Sequence, residues 1–252
     1  MGGQRSVRAI FIRHGESTEN GCDKSGRPHI FQHPAAGLSE LGKNQAQRIA
    51  GHLIADFFKK HHEGGGEIKI MSSDLARARQ TSYILANGLN DEGLRVKGIR
   101  FDPRLRERDA GPNLYGRLIP PELNEREINI LVASEGGEPM SRVLGSVKGW
   151  AVGLQLGARE YEGSTLLIVT HESPLRILAG LACELKIDEA FQNFKFDNGS
   201  ISPAEVSGGS FTFEFMNYTG HLQPEGTYAQ TRKEPDRYID WRVLSETSCG
   251  QY

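Results

Sequence analysis

The run "TLLIVT" at residues 165–170 constrains the fold most, because it offers no polar face. A strand that is apolar on both sides must be covered on both sides, which is the condition of an inner strand in a parallel sheet between layers of helix. The next residues fit that condition: Pro174 suits the first turn of a helix and "LRILAGLACEL" continues it. The same alternation recurs upstream. Residues 7–12 are β-branched and aromatic, a first strand. Ser39 can cap a helix in which Leu41, Ala46, Ile49, Ala50, Leu53, Ile54 and Phe57 recur at helical spacing. Residues 68–71 predict a second strand, 75–89 a helix with Ala78, Tyr83, Ile84 and Leu85 facing inward, and 94–101 a third strand. Residues 194–206 and 211–217 read as two closing strands, antiparallel at an edge. The pattern implies an α/β three-layer sandwich with a mainly parallel central sheet and helices on both faces.

Some segments stand outside the alternation. Residues 102–118 are irregular and charged, and residues 120–132 and 141–156 read as two further helices, so 112–160 is expected to form a helical insertion beside the active site. "HHEGGGE" at 61–67 is a glycine-rich loop, and 221–252 a polar tail. A chain of 252 residues accommodates all of this as one domain over 1–252.

Charge and cysteine usage exclude several classes. The formal net charge is −2 with no sustained Lys/Arg block, which argues against nucleic acid or an acidic membrane as partner. No apolar run reaches membrane-spanning length and the N-terminus lacks a secretory layout, so a cytoplasmic protein is expected. "MGGQRS" fits the N-myristoylation pattern with Gly2 as acceptor and Ser6 as the hydroxyl, although one acyl chain anchors only marginally. Cys22, Cys183 and Cys249 are widely spaced and read as reduced thiols. His29, His33, His52, His61 and His62 lack acidic or cysteine partners at ligand spacing and read as surface residues, so no metal is expected. The sequence leaves the oligomeric state open.

Ligands of open parallel sheets bind beyond the carboxyl ends of the strands. The first strand ends in Arg13, His14 and Gly15; the second leads into "SSDLARAR" with Arg77 one turn inside a helix; "TLLIVT" ends in His171, Glu172 and Ser173. Brought together, these imidazoles and guanidiniums repel one another unless an anion sits among them. A phosphoryl group matches guanidinium forks and helix N-termini. In such a setting a histidine can attack phosphorus while the cations stabilise the equatorial charge. Glu107, in "LRERDAG" after the third strand, is the best-placed acid for the leaving oxygen. Gly15 is expected to let the chain turn closely beneath the phosphoryl group, while Arg79 is expected on the solvated face of its helix. Arg104, Arg106, Arg108 and Arg117 either attract anionic substrate or form an ordinary salt-bridged surface.

"IRHGESTEN", "SSDLARARQT", "LRERDAG", "GGE" at 136–138 and "VTHES" stand in the order of the motifs of the histidine phosphatase superfamily, in the branch with the cofactor-dependent phosphoglycerate mutases. With "FDNGSIS" resembling the late strand of that family, the similarity spans residues 7–206. The resemblance implies a phosphorylated nucleophile at His14, a phosphoryl grip from Arg13, Arg77 and His171, Ser17 and Asn20 on the phosphate side of the first loop, Glu107 as proton donor, and no cofactor. Glu172 is the rival acid, since another branch of the superfamily uses an acid directly after the second histidine; its other reading is a carboxylate orienting His171 or Arg176.

Departures from the resemblance narrow the activity. The Thr-Gly-Trp segment of the mutases is replaced by "GCDKSGRPHIFQHPAAG", and their basic stretch after the glutamate motif is not recognisable in "AGPNLYGRLIPP". The sequence therefore favours hydrolysis of a small phosphomonoester through a phosphohistidine. A phosphoglycerate mutase-like transferase is the alternative, and a non-catalytic phosphate-binding regulatory module the second.

Overall fold

A computed structural model describes residues 6–20, 31–58, 66–120, 122–207 and 210–222. Its strands are β1 (Ser6–Arg13), β2 (Glu67–Ser72), β3 (Val96–Phe101), β4 (Ser164–Thr170), β5 (Ile201–Ser207) and β6 (Ser210–Phe213), in the sheet order β3-β2-β4-β1-β5-β6. β3, β2, β4 and β1 are mutually parallel, and β5 and β6 close the sheet with antiparallel pairings. The helices are α1 (Glu40–His52), α2 (Ala76–Asp91), α3 (Glu125–Ser134), α4 (Met140–Leu156), α5 (Glu172–Ala182) and α6 (Ile187–Asn193).

The apolar run of β4 is central and covered on both sides, as its composition requires. Leu166 and Ile168 pack with Val147 and Trp150 of α4 and Leu178 of α5, whereas Leu167 and Val169 pack with Ile49 of α1, Leu53 and Leu85 of α2. β1 divides in the same way, Phe11 facing one layer and Ile10 and Ile12 the other. Burying each such side chain is worth about 1.5–3 kcal/mol, so the strands that carry the site form the most heavily stabilised part of the sheet.

The helices depart from expectation in three places. In α1, Ala46, Ile49 and Ala50 are buried, but Leu41 is 53% exposed. The first turn meets the core through Gly42, and the adjacent residue is rotated by about 100° around the helix. In α2, Tyr83 is 44% exposed and Ile84 half-buried, while Thr81 and Ser82 lie inside. Their hydroxyls donate to the carbonyls of Arg77 and Ala78, which removes the cost of burying them. The largest difference concerns the insertion. α4 was expected beside the alternation, yet Val143, Val147, Trp150, Ala151 and Leu154 are buried in the sheet's own core, with Trp150 edge-on to Phe11 at 6.3 Å. The crossover from β3 to β4 is therefore made by α4. Of the two expected extra helices, α3 packs elsewhere, where Phe31, Ala110, Leu114 and Val132 form a small separate cluster. It begins at Glu125 rather than 120, fixed by a capping box between Asn124 and Glu127.

Cys183 is a half-buried free thiol. Gly2, Cys22, His29, His61, His62, Cys249 and nearly all of the 221–252 segment lie outside the described residues. His33 is exposed, but His52 is not the isolated surface residue expected. Its Nδ1 lies 2.9 Å from Asp56 one turn on, and its ring stacks on His221 at 5.2 Å. No helix among the described residues is long and apolar enough to cross a membrane.

Candidate active site

Because β2, β4 and β1 are neighbours, their loops leave the sheet side by side. The His14 amide donates to the Thr170 carbonyl (3.1 Å) and the Ser73 amide to that of Val169 (2.9 Å). These ladder extensions carry Arg13, His14, Ser73 and His171 to one point, and the first turn of α2 adds Arg77. The His14 and His171 rings meet edge-on at 4.8 Å.

Gly15 serves a different contact from the one expected. A Cβ there would stand 2.3 Å from the Gly42 carbonyl oxygen, and one on Gly42 would stand 1.9 Å from that of Glu16. The two glycines let the loop after β1 lie directly on the start of α1, whose cap Ser39 accepts from the Gly42 amide. Close backbone packing on a helix explains the glycine. The loop is also held from the other side, where the Gly199 amide donates to the carbonyls of Arg13 and His14 and Asn198 Nδ2 to that of His14.

His14 Nδ1 lies 2.6 Å from the Gly15 carbonyl, an acceptor only, so the ring proton is held on Nδ1 and Nε2 keeps its lone pair. Arg77 Nε donates to that Nε2 at 3.1 Å. Burial, then Arg77 and Arg13, hold the His14 pKa well below the ordinary imidazole value despite the Gly15 bond. His171 is lowered likewise by burial first, then by Arg77, His14 and Arg13. Both rings are neutral at pH 7. His171 Nε2 faces Ser73 Oγ at 2.8 Å, and that oxygen accepts from the Leu75 amide, so its own hydrogen is available to His171. Burial chiefly pulls Arg77 down to about 10, still cationic at neutral pH.

Three buried nitrogens in this cluster, Arg13 Nε, Arg77 Nη1 and His171 Nδ1, have no hydrogen-bond partner among the described residues. An unmade bond to a buried donor costs about 1–3 kcal/mol, so this spacing of donors suits an anion rich in acceptor oxygens. Arg13, His14, Asn20, Arg77, Glu107 and Glu172 line a cavity of about 500 Å³. His171 is fully buried and is not among the lining residues. Neither is Ser17, whose hydroxyl points to Gln32 Oε1 at 3.1 Å within the loop, while Asn20 accepts from the Ser17 amide and from Asn198.

The two candidate acids are held differently. Among the described residues, Glu107 accepts only from backbone: Oε1 from Arg108, Oε2 from Glu172 and Ser173 at the start of α5. Glu172 has both oxygens on guanidiniums, Oε1 on Arg176 at 2.6 Å and Oε2 on Arg13 at 3.1 Å. Of the remaining arginines, Arg104 and Arg106 are paired bidentately with Asp102 and Asp74, Arg79 lies over Phe101, and Arg117 is exposed. The salt-bridged reading holds for the first two. Ser73 and Asn198 are not singled out by the sequence, and Arg108 and Arg176, both named there, line the cavity. "FDNGSIS" marked the Asn198 segment, but nothing local shows that its side chain reaches the end of β1.

The chain resembles known proteins in both sequence and fold. A curated relative, the bifunctional protein Rv2228c of Mycobacterium tuberculosis, is 27% identical over 226 residues, covering 86% of this chain and 55% of the relative. The chain thus spans about half the length of the curated relatives it matches. Among solved structures, the α-ribazole phosphatase of Shigella flexneri superposes with a TM-score of 0.61 at 21% identity, covering 84% of this chain and 96% of that one. The phosphoglycerate mutase of Bacillus anthracis superposes with a TM-score of 0.65 at 17% identity, covering 87% and 96%. The family model of the histidine phosphatase superfamily (branch 1) matches residues 9–219, a span that includes every motif gathered at the cavity, and the chain belongs to that family.

Proposed function

We propose that the protein is a phosphohydrolase that cleaves a phosphomonoester through a phosphohistidine on His14. The observation that carries this reading is the His14 tautomer. The Gly15 carbonyl holds the proton on Nδ1, and burial among guanidiniums keeps the ring neutral, so Nε2 is a nucleophile at neutral pH. Arg77 turns its Nε–H from Nε2 to a phosphoryl oxygen, Nε2 attacks phosphorus in line, the P–N bond forms as the ester P–O bond breaks, and Nδ1 keeps its proton on Gly15. Arg13, Arg77 and His171 stabilise the charge on the equatorial oxygens. The departing oxygen takes a proton from Glu107. Water then gives a proton back to Glu107 and attacks phosphorus, the P–N bond breaks, and phosphate leaves with His14 restored. Asn20 fixes the loop that carries the phosphate side.

Glu107 suits the proton step better than Glu172. Among the described residues, its Oε1 takes a single backbone donor and leaves a second lone-pair site unused, whereas each Glu172 oxygen is occupied by a guanidinium that the site needs in place. The phosphatase neighbour supports hydrolysis, and the mutase neighbour keeps a transferase as the competing reading. Supplying 3-phosphoglycerate with a bisphosphate primer separates them, free phosphate favouring the first and isomerised product the second. His14→Ala should lower turnover of an aryl phosphate by more than about 10³-fold with an unchanged circular dichroism spectrum. Near-native turnover in a folded His14→Ala protein would refute the mechanism.

A further inference from the structure

We infer that the alcohol part of the substrate is bulky, uncharged and largely apolar; this rests on the phosphomonoesterase reading of the His14 cavity. Besides Arg13 and His14, the same cavity is lined by Phe31, Ile119, Ile128, Val132, Met140 and Phe191. These come from the loop before α1, the chain leading to α3, α3 itself, the start of α4, and α6. Phe31 and Val132 belong to the separate cluster under α3, so this wall has its own packed support.

The cations among the other lining residues are already engaged. Arg176 donates to Glu125 at 2.8 Å and to Glu172 at 2.6 Å, and its guanidinium lies over the Phe191 ring at 5.2 Å. Lys195 stands 3.5 Å from Asp197. Arg108 is bonded to the Asn129 side chain and the Glu138 carbonyl, with Glu107, Glu125 and Glu138 close enough to act on its charge. A leaving group with its own carboxylate or phosphate would have to break the Arg176 or Lys195 pair and leave a carboxylate uncompensated, or displace Arg108 from Asn129 and the Glu138 carbonyl amid three carboxylates that would repel it. An apolar group would meet six apolar side chains and displace water.

The test compares kcat/KM of the intact protein for 2-naphthylmethyl phosphate, glycerol 3-phosphate and 3-phosphoglycerate. The naphthyl ester should lead each of the others by more than about tenfold, and Ile128→Ser should cut that lead by about five- to tenfold. Equal or better turnover of 3-phosphoglycerate, or an unchanged ratio in Ile128→Ser, would overturn the inference. Calorimetric binding of the corresponding phosphonates to the wild-type protein separates the two levels. Tighter binding of the naphthyl phosphonate without hydrolysis of any ester would uphold the apolar wall and defeat the hydrolase reading. Tighter binding of the phosphoglycerate analogue would defeat the wall whatever the enzyme hydrolyses.

Discussion

Lowering the pH from 7.5 to 5.5 should destabilise the folded chain through three histidines, the buried His14 and His171 and the half-buried His221. His14 and His171 are held well below the ordinary imidazole value by burial and the neighbouring arginines, and His221 is lowered to about 4, by burial first and then by the stacked His52. A base whose folded pKa lies below its unfolded one takes up its proton first in the unfolded chain. Stability is therefore full above about pH 7 and falls as the pH drops through the unfolded value of about 6.5 towards the folded ones. At pH 5.5 the unfolded state gains about 1.4 kcal/mol from each such histidine, or about 4 kcal/mol from all three, whatever the folded values are so long as they lie well below 5.5. That is a large share of a total of about 5–15 kcal/mol. Asp74, held below the usual carboxylate range by its bond to Arg106, also loses its contribution as pH falls, but only below about pH 4, outside this window. Urea denaturation at the two pH values measures the effect, which should lower the midpoint by more than about 1 M at a slope of about 3 kcal/mol/M. His171→Gln should remove about a third of the pH dependence. Coincident midpoints at pH 7.5 and 5.5 would show that these imidazoles are not held neutral, and the argument for His14 as a nucleophile would fall with them.

Glu107→Gln should lower kcat by about 10²–10⁴-fold for alkyl phosphates and much less for p-nitrophenyl phosphate, whose leaving group needs no proton. Glu172→Gln should act mainly on KM, by releasing Arg13 and Arg176, and the reverse assignment in steady-state kinetics would make Glu172 the acid. Gly15→Ala should cost about 1–3 kcal/mol in urea unfolding, because the new methyl meets helix backbone rather than a side chain that can move aside. Wild-type stability in that variant would refute the close loop-to-helix contact.

Local pattern carried much of the fold. "TLLIVT" has no polar face, and a strand of that kind is stable only between two layers, so its position inside the sheet followed from composition. The motif residues of the site were legible because they stand at strand ends and in the first turn of a helix, where sheet neighbours converge. Leu41 and Tyr83 were misplaced because periodicity tells which residues share a face and not where along the helix the core stops. α4 was misassigned to the insertion for a related reason: no property of the run 141–156 records which surface its apolar stripe covers, and Trp150 found Phe11.

Sequence alone determined the α/β alternation, the nucleophile candidate and the arginines around it, since each depends on residue type and short spacing. Tertiary structure alone decided the rest. The Gly15 carbonyl sets the His14 tautomer, Gly42 gives Gly15 its purpose, Asn198 reaches across 184 positions to the His14 carbonyl, and Arg13 and Arg176 take both oxygens of Glu172. Those contacts join residues far apart in the chain. They arise only when parallel strands place their ends side by side, and no local pattern encodes which end meets which.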